Sequence, residues 1–199
     1  MILEDIVDTD RHPIARTDFA AKSATMLDRD GVLVLADFIR PAALDVILAE
    51  SVAKQDQAYF CTQKHSVYLT AHDPALPGDH PANRQVTSSK GCICDDEIAA
   101  DSPLRRLYHD PQFQAFVAQV TGQQTVHPYA DPLSSINIHY ANRGQELGWH
   151  FDNSSFAITL LIQKPSLARR AGATGCPDHG PRHACSVSRA QCRAPCRAQ

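Results

Sequence analysis

His150 and Asp152, separated by one residue, stand at the head of an apolar run in the stretch GWHFDNSSFAITLLIQKP (148–165). An imidazole and a carboxylate are ligand types that hold a redox-active divalent metal. In a β-strand, residues i and i+2 point to one face, so this pair can chelate a single ion. One further His from elsewhere would complete the facial triad of non-haem Fe(II) oxygenases, which leaves three positions for a co-substrate and oxygen. The tripeptide also has a plainer reading, a half-exposed strand end on which His and Asp pair with each other. The surrounding elements decide between the two.

Residues 17–29 place Phe19, Ser23, Met26 and Leu27 on one helical stripe. Asp30-Gly31 then marks a turn, and VLVLADF (32–38) reads as a buried strand. Pro41 opens a helix in which Leu44, Ile47, Leu48, Ser51 and Val52 recur at helical spacing. Ser102-Pro103 and Asp110-Pro111 each give a cap followed by proline at the first helical position. The second of these helices carries Phe113, Phe116, Val117 and Val120 and stops at Gly122. Residues 61–97 read as rich in loops, most of all at HDPALPGDHPAN (72–83). Further on, SSINIHY (134–140) alternates as a strand, and FAITLLI (156–162) reads as a second, buried one. Helices first and sheet second is an α+β layout.

The length of 199 residues suits one domain, and 43% apolar with 21% charged residues is an ordinary globular composition. No apolar stretch approaches the ~20 residues of a membrane helix. The first ten residues carry three Asp and one Glu, unlike a secretory signal, so the cytoplasm is the expected location. Residues 1–164 hold 13 Lys and Arg against 21 Asp and Glu, an acidic body that argues against a nucleic-acid partner. Its three cysteines read as reduced thiols. Oligomeric state is not legible.

The stretch SINIHYANRGQELGWHFDNSSFAITLLIQ resembles the iron-binding hairpin of Fe(II)/2-oxoglutarate-dependent dioxygenases. The resemblance is nearest to the branch that hydroxylates free or N-acylated amino acids, whose radical halogenase relatives carry Gly in place of the Asp. DRDGVLVLADFIRPAAL, HSVYLTAHD, DSPLRRLYHDPQFQAFVAQVTG and HPYADPL are similar to its earlier segments, so the likeness covers roughly residues 25–165. It implies N-terminal helices packed on a double-stranded β-helix (jelly roll). It also implies Fe(II) with 2-oxoglutarate as co-substrate, and hydroxylation of an unactivated C–H bond of an amino acid or similar small molecule. By the same resemblance His150 and Asp152 match two iron ligands. Tyr140 and Thr159 are candidates to reach co-substrate, and Arg84, His80 and Asp73 to touch substrate. Trp149 is expected to pack the strand end, and His139 to be a neighbouring-strand residue and no ligand.

The resemblance also calls for further strands, a distal His and a 2-oxoglutarate-anchoring Arg after residue 165. Residues 165–199 read instead PSLARRAGATGCPDHGPRHACSVSRAQCRAPCRAQ, with only Leu167 and Val187 as large aliphatics. Such a segment is expected to stay disordered, so the chain divides at 164 into a dioxygenase part and a tail. Its Ala, Arg, Pro, Gly, His and Cys are what a GC-rich coding region yields out of frame, and a frameshift near codon 165 would leave the chain incomplete and inactive. His179 or His183 as distal ligand, with Arg189 or Arg193 as anchor, would lie only 27 or 31 residues beyond Asp152. That spacing leaves too little chain for the missing strands. Cys176, His179, His183, Cys185, Cys192 and Cys196 have the ligand types of a zinc site but no C-x2-C pair. A zinc-binding interaction protein, or a non-catalytic regulatory domain, is therefore the alternative reading.

Overall fold

A computed structural model of the chain describes residues 1–131, 133–152, 154–164 and 184–189. It is a mixture of helices and strands in two compact units. Of the described residues, the first contains 1–49, 100–127, 158–164 and 184–188, and the second contains 50–99, 128–131, 133–152 and 154–157. Among the described residues, no helix is long and apolar enough to cross a membrane.

The first unit follows the helical periodicity. A short α1 (Leu3–Ile6) precedes α2 (Thr17–Asp30), which buries Ala20, Ser23 and Leu27 and half-buries Phe19 and Met26. Gly31 ends α2 with φ 73°, a left-handed conformation in which any Cβ would be strained, and its amide donates to the Leu27 carbonyl. From Pro41, α3 (Pro41–Lys54) buries Ala43, Ile47 and Ser51, while Val52 on its expected stripe is exposed. The two capped helices are α4 (Pro103–His109) and α5 (Pro111–Thr121). Phe116 of α5 stacks on Phe19 at 5.8 Å between centroids, and Phe113 tilts against Phe38 at 6.0 Å.

The cap of α5 is well formed. Asp110 accepts from the amides of Gln112 at 2.9 Å and Phe113 at 3.0 Å, two donors that have no partner within the helix. Asp110→Ala is expected to cost about 1 kcal/mol in urea denaturation, and Asp110→Asn much less.

Strand β1 (Val32–Ala36) departs from expectation. Leu33 and Leu35 are buried, but Val32 and Val34 are 40% and 51% exposed, so only one face is covered. Alternation in a sheet with one open face explains this, where a continuous apolar run suggested burial on both. In its sheet the order is β1-β6-β5, with β5 spanning Phe156–Leu161 and β6 spanning Ala184–Arg189.

Strand β6 lies within the tail that was expected to stay disordered throughout. Residues 184–188 pair antiparallel with β1, Leu33 opposite Val187 and Leu35 opposite Cys185. The reason is a period of two in ACSVSR, where Cys185 and Val187 are buried. Of the other tail candidates, Arg189 ends β6, while Cys176, His179, His183, Cys192, Arg193 and Cys196 lie outside the described residues. Burial pushes the Cys185 thiol up to about 12, so it stays protonated at ordinary pH. At pH 8 iodoacetamide is expected to spare Cys185 in the native chain and to label it in urea, as peptide mass spectrometry would show. Rapid native labelling would place β6 off the sheet.

In the second unit the region expected to be loops forms a long hairpin. β2 (Tyr59–Ser66) pairs antiparallel with β3 (Gln85–Ile93), with Cys61 opposite Lys90 and His65 opposite Val86. These strands are polar on both faces, and so lack the apolar alternation by which strands are recognised. The connecting loop is organised on Asn83, only 4% exposed, which donates to the carbonyls of Asp73 and Pro77 and accepts from the Asp73 amide. β4 (Ile138–Tyr140) adds to β3 and is shorter than the expected 134–140. Asp131 captures the Leu133 amide and the Ser134 hydroxyl, holding the first part of that segment in a turn.

Candidate functional site

His150 and Asp152 lie on an extended arm, residues 145–152, that is not itself a strand of either sheet. Backbone contacts fasten this arm to the β2–β3 hairpin. Ser89 donates its amide to the Glu146 carbonyl at 2.7 Å, and Glu146 returns its amide to the Ser89 hydroxyl at 3.1 Å. Between His150 and Asp152, the Phe151 amide donates to the Val67 carbonyl at 2.8 Å, and Phe151 stacks on Tyr68 at 5.6 Å. At Gly148 the approach is so close that a Cβ would lie 2.7 Å from the Thr87 carbonyl oxygen and 2.9 Å from a Val86 methyl. Only glycine fits there.

The expected juxtaposition of the two side chains is present although the strand is not. His150 Nε2 and Asp152 Oδ1 are 3.4 Å apart, with side chains 22% and 44% exposed. His150 Nδ1 lies 2.7 Å from the Gly148 carbonyl, and a carbonyl only accepts, so Nδ1 carries the hydrogen. Were the ring neutral, its Nε2 lone pair would face a carboxylate oxygen. Two acceptors opposed in this way call for a proton on Nε2 or a cation shared by both. The donor set, with its far nitrogen held by a carbonyl, fits a divalent metal. Among the described residues, no group of three or more His, Cys, Asp or Glu is arranged to hold an ion.

The remaining candidates are not drawn to this pair. Tyr140 donates its hydroxyl to the Ser51 carbonyl at 2.7 Å, and strand alternation puts it on the sheet face opposite Ser88. Burial pushes its phenol up. Thr159 lies exposed in β5, within the other unit. His80 caps a turn of 3-10 helix over Pro81–Asn83, accepting from the Ala82 amide at 3.2 Å. Arg84 follows that turn and is exposed. Asp73 holds the Ala75 amide at 2.8 Å. His139 sits in β4 with its Nε2 at 3.3 Å from the Lys90 ammonium. Trp149, expected to pack, is 87% exposed because Gly148 and His150 on either side of it face the hairpin.

Sequence reading passed over His65 and Ser88. The His65 ring meets the His150 ring edge-on, with centroids 6.1 Å apart. Its Nε2 is 2.8 Å from the Ser88 hydroxyl, which in turn receives the Gly148 amide at 2.9 Å. Nothing in the local sequence of either residue announces this, since both depend on the pairing of β2 with β3.

Comparison with known proteins adds one match and one absence. The family model described as Halogenase D matches residues 21–176. No curated protein matches the chain.

Proposed function

The chain belongs to the Halogenase D family, and from that membership we propose that it is an oxidoreductase built on the Fe(II)/2-oxoglutarate dioxygenase plan, with a jelly roll to which β2, β3 and β4 contribute. The observation that carries the proposal is the carboxylate of Asp152 set 3.4 Å from His150 Nε2 on an arm fixed to the hairpin. His150 offers a neutral imidazole nitrogen and Asp152 a negative oxygen, the donors that suit a mononuclear iron. Bound there, Fe(II) with 2-oxoglutarate and oxygen supplies an oxidant able to take hydrogen from an unactivated C–H bond.

Position 152 decides between hydroxylation and halogenation. By the resemblance noted above, halogenases carry glycine there. In this chain a carboxylate fills the position, so we assign hydroxylation of an amino acid or similar small molecule. The chain's own contribution is to hold the donors still: the Gly148 carbonyl orients His150, and the hairpin orients Gly148. We further propose that the third ligand and the anchoring Arg were lost from the sequence at its change of composition near residue 165. DNA sequence through that codon tests this proposal directly.

A chain re-read in frame across codon 165, given Fe(II), 2-oxoglutarate, chloride and a panel of amino acids, is expected to form succinate and a product heavier by one oxygen. A chlorinated product would overturn the hydroxylase assignment. Absence of succinate with every substrate would overturn the dioxygenase reading. The chain as written is expected to form none.

A further inference from the structure

Ser88 lies far from His150 in sequence, yet both hydrogen-bond the backbone of Gly148. The direction of each bond follows from what its atoms can do. His150 Nδ1–H donates to the Gly148 carbonyl at 2.7 Å. The Gly148 amide, which can only donate, gives its hydrogen to Ser88 Oγ at 2.9 Å. His65 Nδ1 is 2.8 Å from the Ser66 carbonyl and must donate there, which in the neutral ring leaves Nε2 as an acceptor. The Ser88 hydroxyl therefore donates to His65 Nε2 at 2.8 Å. Ser88 is itself only 9% exposed, so water has little access to replace either bond.

We infer that Ser88, oriented by His65, is a positioning residue that sets the arm carrying His150 and Asp152, an inference that rests on the metal reading above. The hydroxyl is the one group among these that both accepts from the arm and donates to the hairpin. A methyl in its place leaves the buried Gly148 amide without a partner, and an amide in that position is costly to orphan. Loss of such support behind a metal ligand typically weakens binding by about 10–100-fold. Two other contacts, at Glu146 and Phe151, keep the arm attached at its ends. The expected consequence is a loosened centre and not an unfolded unit.

The test uses the full chain and two readouts. Trp149 is the only tryptophan and lies between Gly148 and His150, so its quenching by Co(II) reports metal at the pair. Deuterium exchange of peptides covering 145–152 reports the arm without metal. Ser88→Ala is expected to speed exchange at the arm roughly tenfold, with the β2–β3 peptides unchanged, and to weaken Co(II) quenching by about tenfold or more. Ser88→Thr, which keeps the hydroxyl, is expected to restore both to within a few-fold of the parent. His65→Leu, which removes the acceptor, is expected to loosen the arm to a lesser degree and serves if Ser88→Ala does not fold. Arm exchange in Ser88→Ala and His65→Leu equal to the parent's would overturn the inference. Absence of quenching in the parent chain with the exchange pattern as expected would overturn the metal reading and leave the positioning by Ser88 standing.

Discussion

Truncation of Phe38 to alanine is expected to remove about 3–5 kcal/mol of stability, the largest loss for any one side chain here. Phe38 has no exposed surface and meets the rings of Phe113 at 6.0 Å and His12 at 5.7 Å. It follows Asp37, whose φ of 55° turns the chain so that Phe38 and Ile39 both enter the core. Its carbonyl accepts from the Asp8 amide, and the adjacent Ile39 bridges to Val7, so the N-terminal segment is tied to the same point. A void at Phe38 would lie between the rings of His12 and Phe113. With a typical domain stability of about 5–15 kcal/mol, this one change takes a large part of it. Thermal unfolding followed by circular dichroism should show a midpoint lower by about 10 °C. A shift of only a degree or two would mean that Phe38 is not part of a close-packed core.

Gly148→Ala is expected to have the largest effect on the candidate centre. The added Cβ would sit 2.7 Å from the Thr87 carbonyl oxygen, 2.9 Å from the Val86 methyl and 3.1 Å from Ser88 Oγ. The first of these is backbone in a paired strand and cannot swing aside. The arm must lift instead, which breaks the bond from the Gly148 amide to Ser88 and moves the carbonyl that orients His150. A cost of about 1–3 kcal/mol in stability is expected from overpacking. The effect on metal is expected to be near-complete loss of Co(II) quenching of Trp149, because both donors ride on the displaced segment. Quenching unchanged from the parent would show that the arm tolerates a shift at 148 without moving the pair.

The helices from α2 to α5 were legible because each carries its own signals. Asp110-Pro111 at one end of α5 and Gly122 at the other bound a segment whose apolar spacing already defines a face. The strands were legible only where one face is apolar. β2 and β3 were missed because Thr62, Gln63 and Lys64 or Thr87, Ser88 and Ser89 give no alternation, and their pairing rests on each other and not on local pattern. β6 was hidden for a different reason: its alternation rests on two residues alone, Cys185 and Val187, in a sequence otherwise poor in apolar side chains.

At the site, the pairing of His150 with Asp152 was legible from spacing, although the segment reaches it as an extended arm and not as a strand. Its supports were not legible. Ser88 and His65 come from the hairpin, and sequence distance conceals them from the pair they hold.

The central claim is that His150 and Asp152 together hold a divalent metal. Co(II) titration of the full chain, followed through Trp149, tests it most directly when the parent is set beside His150→Ala and Asp152→Ala. Saturable quenching in the parent, weaker than micromolar because two donors alone come together among the described residues, and lost in each variant, is the predicted result. Quenching that persists in both variants with the parent's affinity would contradict the claim.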